Sequence, residues 1–219
     1  MARGFKRKGG RYVAKLDPVE RGVVVGLMEQ VLELVAPDGH GVAGAGEPSG
    51  PAQGRGDTFD QIVAGLGGSG WGVSVSAEDQ SLDAPSSPGS LGERDPALER
   101  LLPCANREDD QIAAEFRRLT EQGLRSRKAA NLSTAILALA NVEEQRVELG
   151  PAEAVAMVVA LTDVRLVLGE RLGLRTDEDL DELEAQVASL DDDDPAVYAL
   201  AVYDFLTWLQ ETLAHALAP

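Results

Sequence analysis

Apolar positions recur at helical spacing in seven stretches, at about 18–35, 57–66, 95–103, 107–140, 151–173, 176–187 and 195–217. Four of these starts share one chemistry. "DPVE" (17–20), "DPAL" (95–98), "GPAE" (150–153) and "DPAV" (194–197) each set a capping residue before a proline. Proline suits the first helical position because its missing N–H would be unpaired there anyway. "NRED" (106–109) and "TDED" (176–179) supply two more caps.

The stretch 151–173 is apolar nearly all round until Asp163 and Arg165, which predicts a helix at the centre of a bundle. In 107–140, Ile112, Phe116, Leu119, Leu132, Ile136 and Leu139 are expected to form a buried face. In 195–217, Val197, Ala201, Phe205, Trp208 and Leu209 are expected to form a core stripe. One stretch breaks the helical pattern. "GFKRKGGRYVAKL" alternates around Gly9-Gly10, a pair suited to the positive-φ turn of a tight hairpin. Two Gly/Pro/Ser-rich segments, 36–56 and 67–94, have no periodicity and are expected to be flexible loops, the second pinned by Trp71. The pattern therefore predicts a mainly α fold: a helical bundle with an N-terminal β-hairpin and two long Gly/Pro/Ser-rich loops. The expected organisation is a single domain over 1–219, with a hairpin arm at 1–16 and the bundle core at 95–217.

Composition narrows this picture. With 44% hydrophobic but only 4% aromatic residues, the core must be built from Leu, Val and Ala. The net charge is −17, yet residues 1–15 carry six basic side chains and no acid, so the remainder of the chain stands at −23. Such a surface repels nucleic acid, whose affinity rests on phosphate neutralisation, so direct DNA binding is not expected. It favours basic partners. A single cysteine permits no internal disulfide and fits a reducing cytoplasm. No apolar run follows the charged start, so no signal peptide is expected. The longest apolar stretch, at 154–161, is far short of the ~20 residues a membrane span needs.

Candidate chemistry is sparse. Gly65, Gly67 and Gly70 fit G-x-G-x-x-G, but a helix precedes them and no helix follows. A dinucleotide site needs a strand before and a helix after, so loop glycines are the better reading. His40 and His215, with one cysteine, make no zinc set. Neither histidine has a nucleophile at motif spacing. The segment 176–194 holds ten acids and no base. It lacks the spaced ligands and central glycine of a calcium loop. It serves either as N-terminal charge for the last helix or as a face for a basic partner. Arg117, Arg118, Arg125, Arg127 and Lys128 form a basic ridge, either a solvated face or a docking ridge. Arg3, Lys6, Arg7, Lys8 and Arg11 make the N-terminal arm a second docking candidate. Cys104, in "RLLPCANRED", lies beside Pro103 near a helix start. The helix dipole and Arg107 favour a thiolate; Glu108, Asp109 and Asp110 oppose it. It is either a small residue at a packed turn or a redox site.

Several stretches resemble one family. "LERLLPCAN", "AAEFRRLTEQGLRSRKAANL", "LTDVRLVLGERLG" and "FLTWLQETL", with the opening "RGFKR", are similar to an actinobacterial family of formerly unknown function typified by the actinomycete oxidative stress regulator AosR. The resemblance covers roughly 1–35, 57–67 and 95–217. It implies a cytoplasmic, non-enzymatic transcriptional regulator. The family's described member senses oxidation through a C-x-x-x-C pair and partners a stress sigma factor. Family genes often lie beside that of the Clp adaptor ClpS. This chain departs from the pattern: it has no second cysteine, and relatives resemble "LLPDA" where Cys104 stands. An intramolecular dithiol switch is excluded; a sulfenic acid, mixed disulfide or intermolecular bridge is not. The expectation is therefore no catalytic residue, no metal and no cofactor. A protein partner, a stress sigma factor or RNA polymerase component, would dock on the basic arm and ridge. The competing expectations are a Clp-protease-associated adaptor or scaffold, and an enzyme whose pocket the sequence does not reveal.

Overall fold

The computed structural model describes residues 2–36, 95–103, 109–142, 144–191 and 194–219. The expected helix 57–66, the two loops beyond Ala36, His40, Gly65, Gly67, Gly70, Trp71 and Cys104 lie outside them. The elements run β1 (Arg3–Lys8), β2 (Arg11–Lys15), α1 (Pro18–Val35), α2 (Pro96–Leu101), α3 (Asp110–Ala140), β3 (Arg146–Leu149), α4 (Pro151–Arg171), α5 (Asp177–Val187) and α6 (Pro195–Leu217). The fold is the expected helical bundle with an N-terminal hairpin.

The helix starts follow the capping chemistry of the sequence. Asp17 accepts from the Val19 and Glu20 N–H groups, and the Glu20 carboxylate accepts from the Asp17 N–H, a complete capping box. Asp95, Asp109, Thr176 and Asp194 cap α2, α3, α5 and α6 with their side chains. Gly150 has no side chain to offer, and Glu153 reaches back to its N–H at 2.7 Å.

Helix α4 is the hub. It packs against α1, α2, α3 and α6. Its Ala154, Met157, Ala160, Leu161, Val164 and Leu168 are all buried, which is why its sequence is apolar on every side. Residues Gly9 and Gly10 have φ of +59° and +78° and turn β1 into β2. A third strand then completes an antiparallel sheet in the order β1-β2-β3. Sequence patterning did not predict β3. It has four residues, and only Val147 and Leu149 face the core.

The core stripe of α6 differs from the expected one. Ala199, Val202, Leu206, Leu209 and Leu213 are buried, whereas Ala201 is exposed and Trp208 retains 37% of its surface. At 100° per residue Val197, Ala201 and Trp208 of the expected stripe turn away from the core, while Leu209 and the half-buried Phe205 pack on it. Both sides are apolar, so spacing could not choose between them. Phe205 is half-buried against the edge of the core and carries Trp208 outside it, with ring centroids 6.0 Å apart.

Strand β1 docks on α6 through a close approach. The Phe5 N–H donates to Thr212 Oγ1 at 3.1 Å. A Cβ on Gly4 would stand 2.5 Å from Thr212 Cγ2. Gly4→Ala is expected to destabilise the fold by about 1–3 kcal/mol, because strand or helix must shift to admit the methyl. Gly22→Ala, on the exposed side of α1 with no atom near, should stabilise by about 0.5–1 kcal/mol. Urea denaturation of the two variants checks both.

Candidate interaction surface

The basic residues picked out by the sequence separate into two groups with different work. Arg125 and Lys128 are spent inside the fold. Arg125 pairs with Glu121 at 2.8 Å and donates to the Leu34 and Val35 carbonyls at 3.4 and 3.1 Å. Those carbonyls belong to the last turn of α1, where a cation satisfies orphan acceptors. Lys128 Nζ lies 2.5 Å from Asp163 Oδ1, and the Asp163 side chain is only 3% exposed. Burial pushes the Asp163 carboxyl above its ordinary value; the hydrogen bond and charge of Lys128 oppose that rise. The second carboxylate oxygen of Asp163 is buried and has no hydrogen-bond partner among the described residues. The docking ridge expected over Arg117–Lys128 is therefore broken: two of its five cations hold the bundle together.

Arg118 is exposed and engages Glu115 at 2.7 Å. That contact lowers the Glu115 carboxyl and raises the Arg118 guanidinium. Arg117 and Arg127 are exposed and have no ion-pair partner among the described residues.

The hairpin arm presents the denser charge. Arg3, Lys6, Arg7, Lys8, Arg11 and Lys15 are all exposed. The register sets Lys8 opposite Arg11 and Arg3 opposite Lys15. Like charges directly opposite one another across a strand pair are destabilising. Only Arg11 has an acidic neighbour among the described residues, Glu148 on β3 at 3.6 Å. The arm is thus a platform on paired strands whose positive charge is left largely uncompensated by the other described residues.

The apolar side of α3 is also displaced from expectation. Leu132, Ala135 and Leu139 are buried as an inward face. Ile112, Phe116 and Leu119 are 56%, 49% and 66% exposed. The reason is geometric. Twenty residues separate Ile112 from Leu132, which is about 5.6 turns, so the two clusters point to opposite sides of one helix. Helix α3 thus carries two apolar stripes, not one.

Other candidate groups contribute little. His215 is exposed, with Nδ1 2.8 Å from the Glu211 carbonyl. The acidic helix α5 keeps one fully buried residue, Leu183, and its acids face solvent or cap its own N-terminus. Asp179 is the cap partner, and hydrogen bonds from the Arg175 and Thr176 N–H groups lower its carboxyl. Among the described residues no group of three or more His, Cys, Asp or Glu side chains is placed to hold a metal. No described helix is long and apolar enough to cross a membrane. An open depression between the end of α3 and β3 is lined by Leu137, Asn141, Glu144 and Arg146, among others.

Fold and surface together define a helical-bundle domain with a three-stranded sheet, carrying free basic and apolar side chains on rigid elements. The chain belongs to the domain of unknown function family DUF2017, whose model matches residues 2–217. No curated protein and no solved structure matches it.

Proposed function

We propose that this protein is a cytoplasmic transcriptional regulator linked to oxidative stress, acting by contact with a protein partner, a stress sigma factor. The similarity of its sequence to the AosR-typified family supports the regulator reading. The observation that carries the contact surface is the like-charge register of the hairpin. Lys8 against Arg11 and Arg3 against Lys15 leave a fixed cationic platform whose self-repulsion an acidic partner surface would relieve. Lys6 and Arg7 extend the platform. Exposed Arg117 and Arg127 are the two ridge residues left for the same use. With one cysteine, any thiol-based oxidant response runs through Cys104, by sulfenic acid, mixed disulfide or an intermolecular disulfide.

Calorimetry of the purified chain with stress sigma factors of its host tests the reading, before and after mild peroxide. Binding is expected, and charge reversal of Lys6, Arg7 and Lys8 to Glu should weaken it by about tenfold or more, roughly 1.4 kcal/mol. If oxidation alters the affinity, Cys104→Ser should abolish the change. No binding in either state, with Clp protease components retained in place of RNA polymerase, would replace the regulator by the adaptor reading.

A further inference from the structure

The outer face of α3 carries a second pattern that the bundle leaves unused. From Ile112 the positions 116, 119, 123, 126, 130, 133 and 137 follow in alternating steps of four and three, the spacing of a coiled-coil seam. At 100° per residue they fall within an arc of about 100°. Leu132, Ala135 and Leu139, which face the core, lie on the other side. Seven of the eight seam positions are exposed and Ser133 is half-buried. All eight charged residues of α3 lie off this seam.

We infer that this seam is the interface of a homodimer in which two copies of α3 pack antiparallel about a two-fold axis between residues 124 and 125. The order of side-chain sizes decides the occupant and the orientation. An axis there sets Ile112 against Leu137 of the second copy, Phe116 against Ser133, Leu119 against Ala130, and Gly123 against Ser126. Every large side chain in the middle of the seam then meets a small one, as close packing requires. A parallel pair would set Phe116 on Phe116 and Leu119 on Leu119 and leave the Gly/Ser/Ala half without filling. Charge agrees. Glu115 and Arg127, the charges flanking the seam, come opposite Ile136 and Thr120 of the second copy, so no like charges are forced into register.

Area sets the strength. Eight seam residues and six flanking ones that keep some exposure amount, per helix, to somewhat over half of the usual roughly 20–30 per side. The dimer would bury about 1,000 Å² in all, near the lower bound for a specific interface. An interface of that size on a single helix is expected to associate reversibly. It rests on α3 alone and is independent of the regulator reading.

Sedimentation equilibrium of the full chain tests it. A monomer–dimer equilibrium is expected that tightens between about 50 and 500 mM salt, because screening relieves the repulsion of two −17 copies while apolar contact is retained. A dimer that loosens with salt would instead be made by charge and would overturn the inference. Leu119→Glu, at a 66% exposed position, should weaken dimerisation about tenfold or more with an unchanged thermal melt of the monomer. Register is read by disulfide formation in a Cys104→Ser background. A mixture of Leu119→Cys and Ala130→Cys chains should cross-link, and neither alone should. A monomer at every concentration, or a dimer indifferent to Leu119→Glu, would overturn the seam. Self-cross-linking of Leu119→Cys chains would overturn the antiparallel arrangement.

Discussion

Lys128→Met is expected to cost about 3–5 kcal/mol of folding stability at neutral pH, the penalty for leaving a buried charge without its partner. Asp163 is 2% exposed, and the Lys128 ammonium at 2.5 Å is its only ion-pair partner among the described residues. Such a loss is a large fraction of the total stability of an ordinary domain. Its pH dependence has a definite sign. Burial already raises the Asp163 carboxyl above its ordinary 3.8, and Lys128 holds that rise in check. Removing Lys128 raises it further. Below the ordinary carboxylate range the acid is protonated in folded and unfolded chains alike, and the variant's deficit is small. As pH rises from the wild-type folded value towards the higher value of the variant, the variant's folded carboxyl alone resists ionisation, so the deficit grows, and it levels off once pH exceeds that higher value. Urea denaturation of wild type and variant at several pH values checks this; a deficit independent of pH would refute the burial account. Replacing both partners, as Lys128→Met with Asp163→Leu, should recover most of the loss, because a well-packed apolar pair in place of a buried ion pair is often neutral or stabilising.

Two leucines on the same helix should behave in opposite ways. Leu132→Ala is expected to cost about 2–5 kcal/mol, since Leu132 is fully buried and its removal leaves a cavity between α3 and the rest of the core. Leu119→Ala should change stability by no more than about 0.5 kcal/mol, because two-thirds of Leu119 already meets solvent. Sequence spacing assigned both to one buried face. Denaturant midpoints at a protein concentration low enough to keep the chain monomeric separate the two. Equal losses would mean that the N-terminal half of α3 is covered in the folded molecule.

What could be foreseen divides along physical lines. Local chemistry was legible. Asp-Pro and Gly-Pro pairs mark the first turns of α1, α2, α4 and α6, since capping depends only on residues three or four apart. Gly9-Gly10 marks the hairpin turn for the same reason. The all-apolar run of α4 marks the central helix, because a helix with no polar side has nowhere to go but the middle. Within that run Asp163 was a visible anomaly, the one signal of a buried ion pair, but nothing in the sequence says that Lys128 is its partner thirty-five positions away.

The sequence by itself thus determined the fold class, the positions of the described helices, the hairpin and the uneven distribution of charge, all of which rest on contacts within one or two turns of chain. Tertiary structure alone decided which side of an apolar helix is core. In α3 and α6 more than one stripe satisfies helical spacing, and only the neighbours α1, α4 and β1 choose among them. It also decided that β3 pairs with β2, a four-residue strand too short to declare itself without a partner to accept its hydrogen bonds. Finally, it decided which cations are free. Arg125 and Lys128 look the same in sequence as Arg117 and Arg127, and what distinguishes them is the carbonyl end of α1 and the buried carboxylate of α4, brought beside them only when the chain folds.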